Sequence, residues 1–369
     1  MIYLDSGATS LRKPPGVIRA CSEALRRCAN PGRGGHPAAM EAAKTVYQCR
    51  ERAAAIFSCL PEQVVFTSNC THGLNIALRT LVKPGGRVVI SGFEHNAVTR
   101  LLKALEAEMT VAGRRLFDWE NTLTEFEEAL KSGPDAAVFT HVSNVYGYIL
   151  PVYAMARLCR QYGVPFVVDA AQSAGTLPVS LRQLGADFVA MPGHKGLLGP
   201  QGTGILLCGR KPEPLLFGGT GSESFLQEMP GFLPDCCEAG TLNVPGIAGL
   251  SAGLAYLQQE GIRQIHQREH RQMQRCVQGL KSLGIPCFSG DHQSATVSFV
   301  PPMDCEQMAQ SLAQRGIAVR AGLHCAPLAH ESGGTIETGT VRVSYGIDAS
   351  DMQTGALLAA VSKILSGRG

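Results

Sequence analysis

Charge is scarce in this 369-residue chain: Asp, Glu, Lys and Arg together make up 17% of it. With a formal net charge of +3 and no run of Lys or Arg, it lacks an electrostatic footprint for nucleic acid or for an anionic membrane surface. An uninterrupted apolar run of membrane-spanning length is missing as well. The opening MIYLDSGATSLRKPPG has no basic segment followed by an apolar stretch, so no secretory leader is read there. These absences predict a cytoplasmic protein that engages neither nucleic acid nor membrane. Internal repeats and low-complexity tracts are also absent. Nor is there an even cysteine framework: the 13 cysteines are an odd number scattered through apolar stretches, which predicts reduced thiols, most of them small buried hydrophobes.

What is present is core-forming material, with 45% hydrophobic residues and 42 glycines. That composition and length fit a compact enzyme with one large and one small domain. Short β-branched runs at 63–69, 87–91, 135–144, 165–172, 187–193 and 203–208 read as buried strands. Between them THGLNIALRTLV, NAVTRLLKALEAEM, LTEFEEALKS and PVYAMARLCRQYG place apolar residues three or four apart, as helices do. Alternating strands and helices predict a mostly parallel sheet covered on both faces. The stretch 209–240 reads as a long irregular loop, and 247–283 as one long helical connection. Strands at 295–300, 316–322 and 340–346, with helices at 304–315 and 349–366, complete a small α+β unit.

Chemistry concentrates where predicted strands end, the place ligands occupy in open α/β sheets. MPGHKGLLGPQGTG (191–204) sets Lys195 beside His194 among five glycines, which let a ligand and the backbone approach closely. A surface-loop lysine fits the same string. A phosphate-binding P-loop does not, because its lysine precedes Ser or Thr and here Gly196 follows. VVDAAQSAG (167–175) closes an apolar strand on Asp169, a residue that helix capping or ion pairing would also explain. Together the two suit pyridoxal 5'-phosphate (PLP), which needs a lysine for its aldehyde and an acid opposite its pyridine nitrogen. FTSNCTHGLNIAL (66–78) brings Thr71, His72 and Gly73 to a helix start, where free N–H groups suit a phosphate or where Thr71 is an ordinary cap.

Seven strings in order, THGLNIA, FEHNAV, HVSNVYG, VVDAAQSAG, GHKGLLGPQGTG, AGTLNVPG and RAGLHCAP, resemble the class V aminotransferase superfamily of fold type I PLP enzymes. Within it the likeness is to the cysteine desulfurase and selenocysteine lyase branch, and it covers nearly the whole chain. The resemblance implies an α/β fold type I transferase. Its large PLP-binding domain, 16–250, holds a mostly parallel seven-stranded sheet, and its small α+β C-terminal domain, 251–369 with the segment 1–15, carries Cys325.

Residue by residue, the resemblance implies Lys195 as the Schiff-base lysine, Asp169 as partner of the pyridine nitrogen and Gln172 as neighbour of the ring hydroxyl. His95 resembles the histidine that stacks on the ring and exchanges protons with substrate. Thr71, His72 and His194 fall on the cofactor's phosphate side. Asn144 matches the asparagine near the cofactor hydroxyl and the substrate carboxylate, and Arg342 the arginine that clamps that carboxylate bidentately. Relatives are homodimers with shared active sites, so Thr241 is expected to reach the other subunit's phosphate and His36 to cross the same interface.

Cys325 selects among reactions. It stands in RAGLHCAPLAHESGGTIETG (320–339), an aperiodic, glycine-bearing stretch that reads as a mobile loop, and of the 13 cysteines it is the one expected at the surface. R-x-G-x-H-C-A resembles group II desulfurases, in which this thiol accepts sulfur as a persulfide; Arg320 is a further candidate near the substrate carboxylate. His324, Cys325 and His330 lack the second Cys or His pair a zinc site needs, so no metal is expected. The expected reaction converts L-cysteine to L-alanine. Selenocysteine lyase chemistry on L-selenocysteine, or another class V aminotransferase or lyase reaction, stands as the alternative, and a sulfur- or selenium-acceptor protein is the expected partner. One departure concerns the phosphate: relatives carry serine three residues before the lysine, whereas Pro192 offers neither hydroxyl nor N–H. The loop 218–222, with Ser222, is a candidate substitute.

Overall fold

Residues 1–32 and 34–367 are described by the structure, a computed structural model. A short strand β1 (Ile2–Tyr3) precedes helices α1 (Pro15–Arg27) and α2 (Pro37–Phe57). Strands and helices then alternate as far as β7, which β8 follows directly: β2 (Val64–Thr67), α3 (Cys70–Leu81), β3 (Arg87–Ser91), α4 (Asn96–Ala104), β4 (Glu108–Ala112), α5 (Trp119–Leu130), β5 (Ala136–Thr140), α6 (Val152–Tyr162), β6 (Phe166–Asp169), α7 (Leu181–Leu184), β7 (Phe188–Pro192) and β8 (Gly204–Cys208). Helices α8 (Val244–Glu260) and α9 (Ile262–Ser282) lead to β9 (Thr296–Phe299), α10 (Cys305–Gln314), β10 (Ile317–Ala318), β11 (Arg320–Gly322), α11 (Pro327–Ser332), β12 (Thr340–Ser344) and α12 (Asp351–Leu365).

The large sheet has seven strands in the order β2-β8-β7-β6-β5-β3-β4. All neighbours are parallel except β2–β8 and β8–β7, as expected for a mostly parallel sheet. Strands β2, β5, β6, β7 and β8 are buried at every position, because helices cover both faces and leave no solvent side for alternating polar residues. Two hydrophobic clusters, one built around Phe126, Phe139 and Phe166 and the other around Leu74, Ile90 and Leu206, occupy the two faces. A second sheet, β11-β12-β9, is antiparallel, and β1 pairs in parallel with β10. The N-terminal strand is thereby stitched to the far end of the chain, and Leu4 joins the cluster of Val297, Phe299 and Val343. Among the described residues no helix is long and apolar enough to cross a membrane.

Three local readings are corrected. NAVTRLLKALEAEM does not continue as one helix: α4 ends at Ala104, Glu106 turns left-handed at φ 53°, and Glu108–Ala112 pairs with β3 as an edge strand. Pairing along the open edge overrides the helix preference of Glu and Met. The helical stretch 247–283 is broken at Gly261 (φ 81°) into buried α8 and amphipathic α9. The stretch 320–339 is not one loop but holds β11, a tight turn and α11. By contrast 209–240 is irregular apart from one 3-10 turn at Asp235–Cys237.

Candidate active site

A cavity of ≈ 190 Å³ opens beyond the C-terminal ends of β5, β6 and β7, against the starts of α3 and α4. Its wall brings together Thr71, His95, Asn144, Asp169, Gln172, His194 and Lys195, seven residues from five separate stretches of sequence. Parallel strands produce this convergence because all of them release their loops at the same end of the sheet.

Lys195 follows β7 in a turn that only glycine permits. A Cβ on Gly193 would lie 2.1 Å from Thr203 Oγ1, and one on Gly196 would lie 2.3 Å from the carbonyl of Ala174. The turn is thus pressed against the chain leaving β6, and Lys195 lines the cavity. Burial lowers the Lys195 pKa, the Arg342 guanidinium lowers it further, and the Asp169 carboxylate opposes both.

Asp169 ends β6 and is 2% exposed. Its Oδ1 accepts from the Ala171 N–H at 2.8 Å and from the Cys70 thiol at 3.4 Å. Both donors address one oxygen, which leaves Oδ2 for a group in the cavity. Gln172 lies beside it, anchored by donation from Nε2 to the Gly7 carbonyl at 3.0 Å. At the start of α3 the cap is Asn69, whose side chain accepts from the His72 N–H at 2.9 Å. Thr71 is therefore released from capping and lines the cavity.

His95 caps α4: its Nδ1 accepts from the Ala97 N–H at 3.0 Å. The ring proton is accordingly carried on Nε2 in the neutral form, and burial lowers the pKa so that this form prevails. His194 is held by the N-terminal segment, with Nδ1 3.0 Å from Thr9 Oγ1 and its carbonyl accepting from Ser10 Oγ and Lys13 Nζ. Burial, with Lys195 and Lys13 nearby, brings its pKa to about 4.

Arg342 on β12 is buried and faces the same region. Its Nη2 is 2.6 Å from Asp5 Oδ1, its Nη1 donates to the Asn144 carbonyl at 2.9 Å, and its Nε has no partner among the described residues. The Asn144 side chain donates in turn to the His324 carbonyl at 2.8 Å. That carbonyl opens the turn bearing Cys325, the one exposed cysteine of the thirteen. Arg320, exposed on β11, sits opposite Arg342 in the strand register.

Several expected residues lie elsewhere in the single chain. His72 points into a neighbouring pocket of ≈ 420 Å³ that it shares with Thr241, its Nδ1 3.3 Å from Ser68 Oγ. His36 is exposed and caps α2. Of the loop 218–222, Gly219, Thr220 and Gly221 line another pocket with Arg50 and Glu238, which Ser222 does not line, and Pro192 lines the Lys195 cavity instead. Three participants were not legible in the sequence: Cys70, Asp5 and Asn96, whose N–H donates to the Cys325 carbonyl at 2.8 Å. Cys70 precedes the phosphate-like motif by one residue, and a carboxylate 99 residues on, at the end of β6, gave no signal that a thiol would meet it. Asp5 stands beyond β1, and only the β1–β10 pairing carries it to Arg342.

Residues 2–356 match the family described as aminotransferase class-V. Among curated proteins the chain is 34% identical to a probable cysteine desulfurase of Methanothermobacter thermautotrophicus, over 91% of this chain and 88% of that protein. It is also 34% identical to one from Pyrococcus abyssi, over 88% and 85%. Among solved structures, an apo cysteine desulfurase from Thermococcus onnurineus superposes with a TM-score of 0.91 at 31% identity, covering 99% of this chain and 95% of that one. A cysteine desulfurase from Escherichia coli gives 0.83 at 26% identity, covering 99% and 94%.

Proposed function

This chain belongs to the class-V aminotransferase family, and from that premise we propose that it is a PLP-dependent cysteine desulfurase that converts L-cysteine to L-alanine and keeps the sulfur on Cys325. The observation that carries the reading is the convergence of Lys195, Asp169 and Asn144 on one cavity, with Asn144 bonded both to Arg342 and to the His324 carbonyl beside Cys325. The residues fit the cofactor: Asp169 Oδ2 is left for a protonated ring nitrogen, Lys195 lines the same cavity, and the start of α3 with Thr71 offers N–H groups for a phosphate. When bound, PLP supplies an electron sink for the substrate's α-carbon.

The protein's own groups divide the remaining work. A lysine whose pKa is lowered gives up its proton readily, which suits Lys195 to take and return a proton at the α-carbon. Arg342 binds the substrate carboxylate through its fork, with the unpartnered Nε ready to donate and Asp5 displaced. His95 lines the same cavity, and with its Nδ1 lone pair taken by the Ala97 N–H it presents Nε2–H as a hydrogen-bond donor to the substrate sulfur. The Cys325 sulfur then attacks the substrate sulfur: an S–S bond forms, the C–S bond of L-cysteine breaks with its electron pair left to the β-carbon, and of the two thiol protons one ends on that carbon as L-alanine forms and the other stays with the persulfide on Cys325.

In the same reading the chain works in the cytoplasm as a homodimer, in which Thr241 and His36 complete the partner's site beside His72, and hands its sulfur to an acceptor protein. The large part, 16–250, binds cofactor, and the part 251–369 with 1–15 presents Arg342, Arg320 and Cys325; residues 368 and 369 lie outside those described. Selenocysteine lyase activity uses the same groups, and parallel assays on L-cysteine and L-selenocysteine rank the two substrates. The deciding experiment incubates the protein with L-cysteine and measures alanine, sulfide and Cys325 persulfide. Cys325→Ala is expected to lose turnover while retaining cofactor absorbance. Undiminished turnover in that variant would reject the persulfide route, and no alanine from the parent would redirect the reading to another class V reaction.

A further inference from the structure

Two consecutive residues at the nucleophile are left-handed without being glycine: His324 at φ 50° and Cys325 at φ 56°. The Ala326 N–H donates to the Leu323 carbonyl at 2.9 Å across them. That pattern is the one of a type I′ turn, whose central positions ordinarily take Asn-Gly. Side chains bearing a Cβ pay for this conformation and persist in it only where the surroundings over-determine it.

The surroundings here are identifiable. The Cys325 carbonyl accepts from the Asn96 N–H at 2.8 Å, directly after His95. The His324 carbonyl accepts from Asn144 Nδ2 at 2.8 Å, and the buried His324 ring lies 3.2 Å from Thr340 Oγ1 through Nε2. Both carbonyls of the turn are therefore gripped by the wall of the cavity, while the Cys325 side chain is exposed. Asn144 also has a second engagement, its own carbonyl accepting from Arg342 Nη1 at 2.9 Å. Arg342 is 2% exposed, and its Nε is unpartnered.

We propose that Asn144 is a positioning residue that couples a carboxylate on Arg342 to the pose of the Cys325 thiol. The inference rests on the reading of Arg342 as carboxylate clamp and of Cys325 as sulfur acceptor. When a carboxylate replaces Asp5 on the guanidinium, the Asn144 carbonyl follows the shifted fork and the side-chain amide loosens its hold on the His324 carbonyl. The left-handed turn then relaxes and frees the thiol to approach the substrate sulfur. Its strain is what makes the turn responsive, since losing one clamp is enough to change its preferred state.

The test follows alkylation of Cys325 by a maleimide on the PLP-loaded protein, located by peptide mass, with and without saturating L-alanine as the carboxylate probe. L-alanine is expected to speed alkylation about three- to tenfold in the parent, the factor one such hydrogen bond is worth. Asn144→Ala is expected to start at the faster rate and not respond, whereas a residue that merely packed would leave the response in place. Slow, still-responsive alkylation in Asn144→Ala overturns the coupling. A second measurement keeps Asn144 intact: Cys325→Gly should melt above Cys325→Ala, because glycine accepts the left-handed backbone freely. Equal or reversed melting points overturn the strained turn. Persulfide on Cys325 after L-cysteine is scored separately, so its absence rejects the desulfurase reading while the alkylation response still judges the coupling.

Discussion

Lys195 and Arg342 illustrate how neighbours set the chemistry of single residues. Burial lowers the proton affinity of both; Arg342 lowers that of Lys195 further and Arg320 that of Arg342, while Asp169 and Asp5 offset this in part. Replacing Lys195 with alanine is expected to abolish the cofactor's absorption band in the visible, while the circular dichroism of the fold stays unchanged. Arg342→Lys keeps the charge but loses the fork. It should raise KM for L-cysteine and lower kcat/KM about ten- to hundredfold, the factor for one or two charged hydrogen bonds.

Glu269 gives a pH prediction. On α9 it is 2% exposed and lines a ≈ 50 Å³ cavity that Lys195 also borders. Burial pushes its carboxyl up to about 8 against Arg268, which lowers it. The folded protein thus keeps a proton that the unfolded chain releases near the ordinary value of 4.5. Stability contributed by this residue falls as pH rises from there to about 8 and is flat above. Denaturant titrations across that window should show a shallower decline in Glu269→Gln.

Among the elements, strand β2 shows how a sheet edge is closed. It is the outer strand beside β8, and its free Val64 carbonyl and Phe66 N–H are taken by the buried pair Arg50 and Glu238, the latter at 2.7 Å from Phe66 N. The pair also fixes the backbone three residues before Thr241. Arg50→Met strands Glu238 as an uncompensated buried charge and should cost about 3–5 kcal/mol in chemical denaturation, and a companion Glu238→Gln should recover part of that loss. Buried apolar strands and amphipathic helices were legible because burial on both faces leaves a direct mark on composition. Strand β4 was not, since an edge strand carrying Glu108 and Met109 in the open has no such mark.

At the scale of the whole molecule, Thr241, His36 and His72 stand outside the Lys195 cavity of their own chain. The segment before Thr241 exposes Phe217 and Phe225 at 79% and 87%, apolar area of the kind an interface covers. Sedimentation is expected to show a dimer. Lys195→Ala and Thr241→Ala proteins, each weak alone, should regain activity on subunit exchange, because a mixed dimer contains one site with both residues intact. Failure to complement under demonstrated exchange would place Thr241 outside the shared site.

The sequence by itself determined the α/β alternation and the placing of Lys195 and Asp169 on one cavity, because strand burial and glycine at a crowded turn are local and written in residue type; Cys325 was singled out by the R-x-G-x-H-C-A resemblance and not by the loop expected around it, which holds β11 and α11. Only the tertiary structure decided that Asp5 would occupy Arg342, that Cys70 would meet Asp169, and that Asn144 would join Arg342 to the Cys325 turn. Those contacts join residues from 99 to 337 positions apart. They arise from strand order and from the β1–β10 pairing, which a linear pattern of hydrophobic and polar residues does not encode.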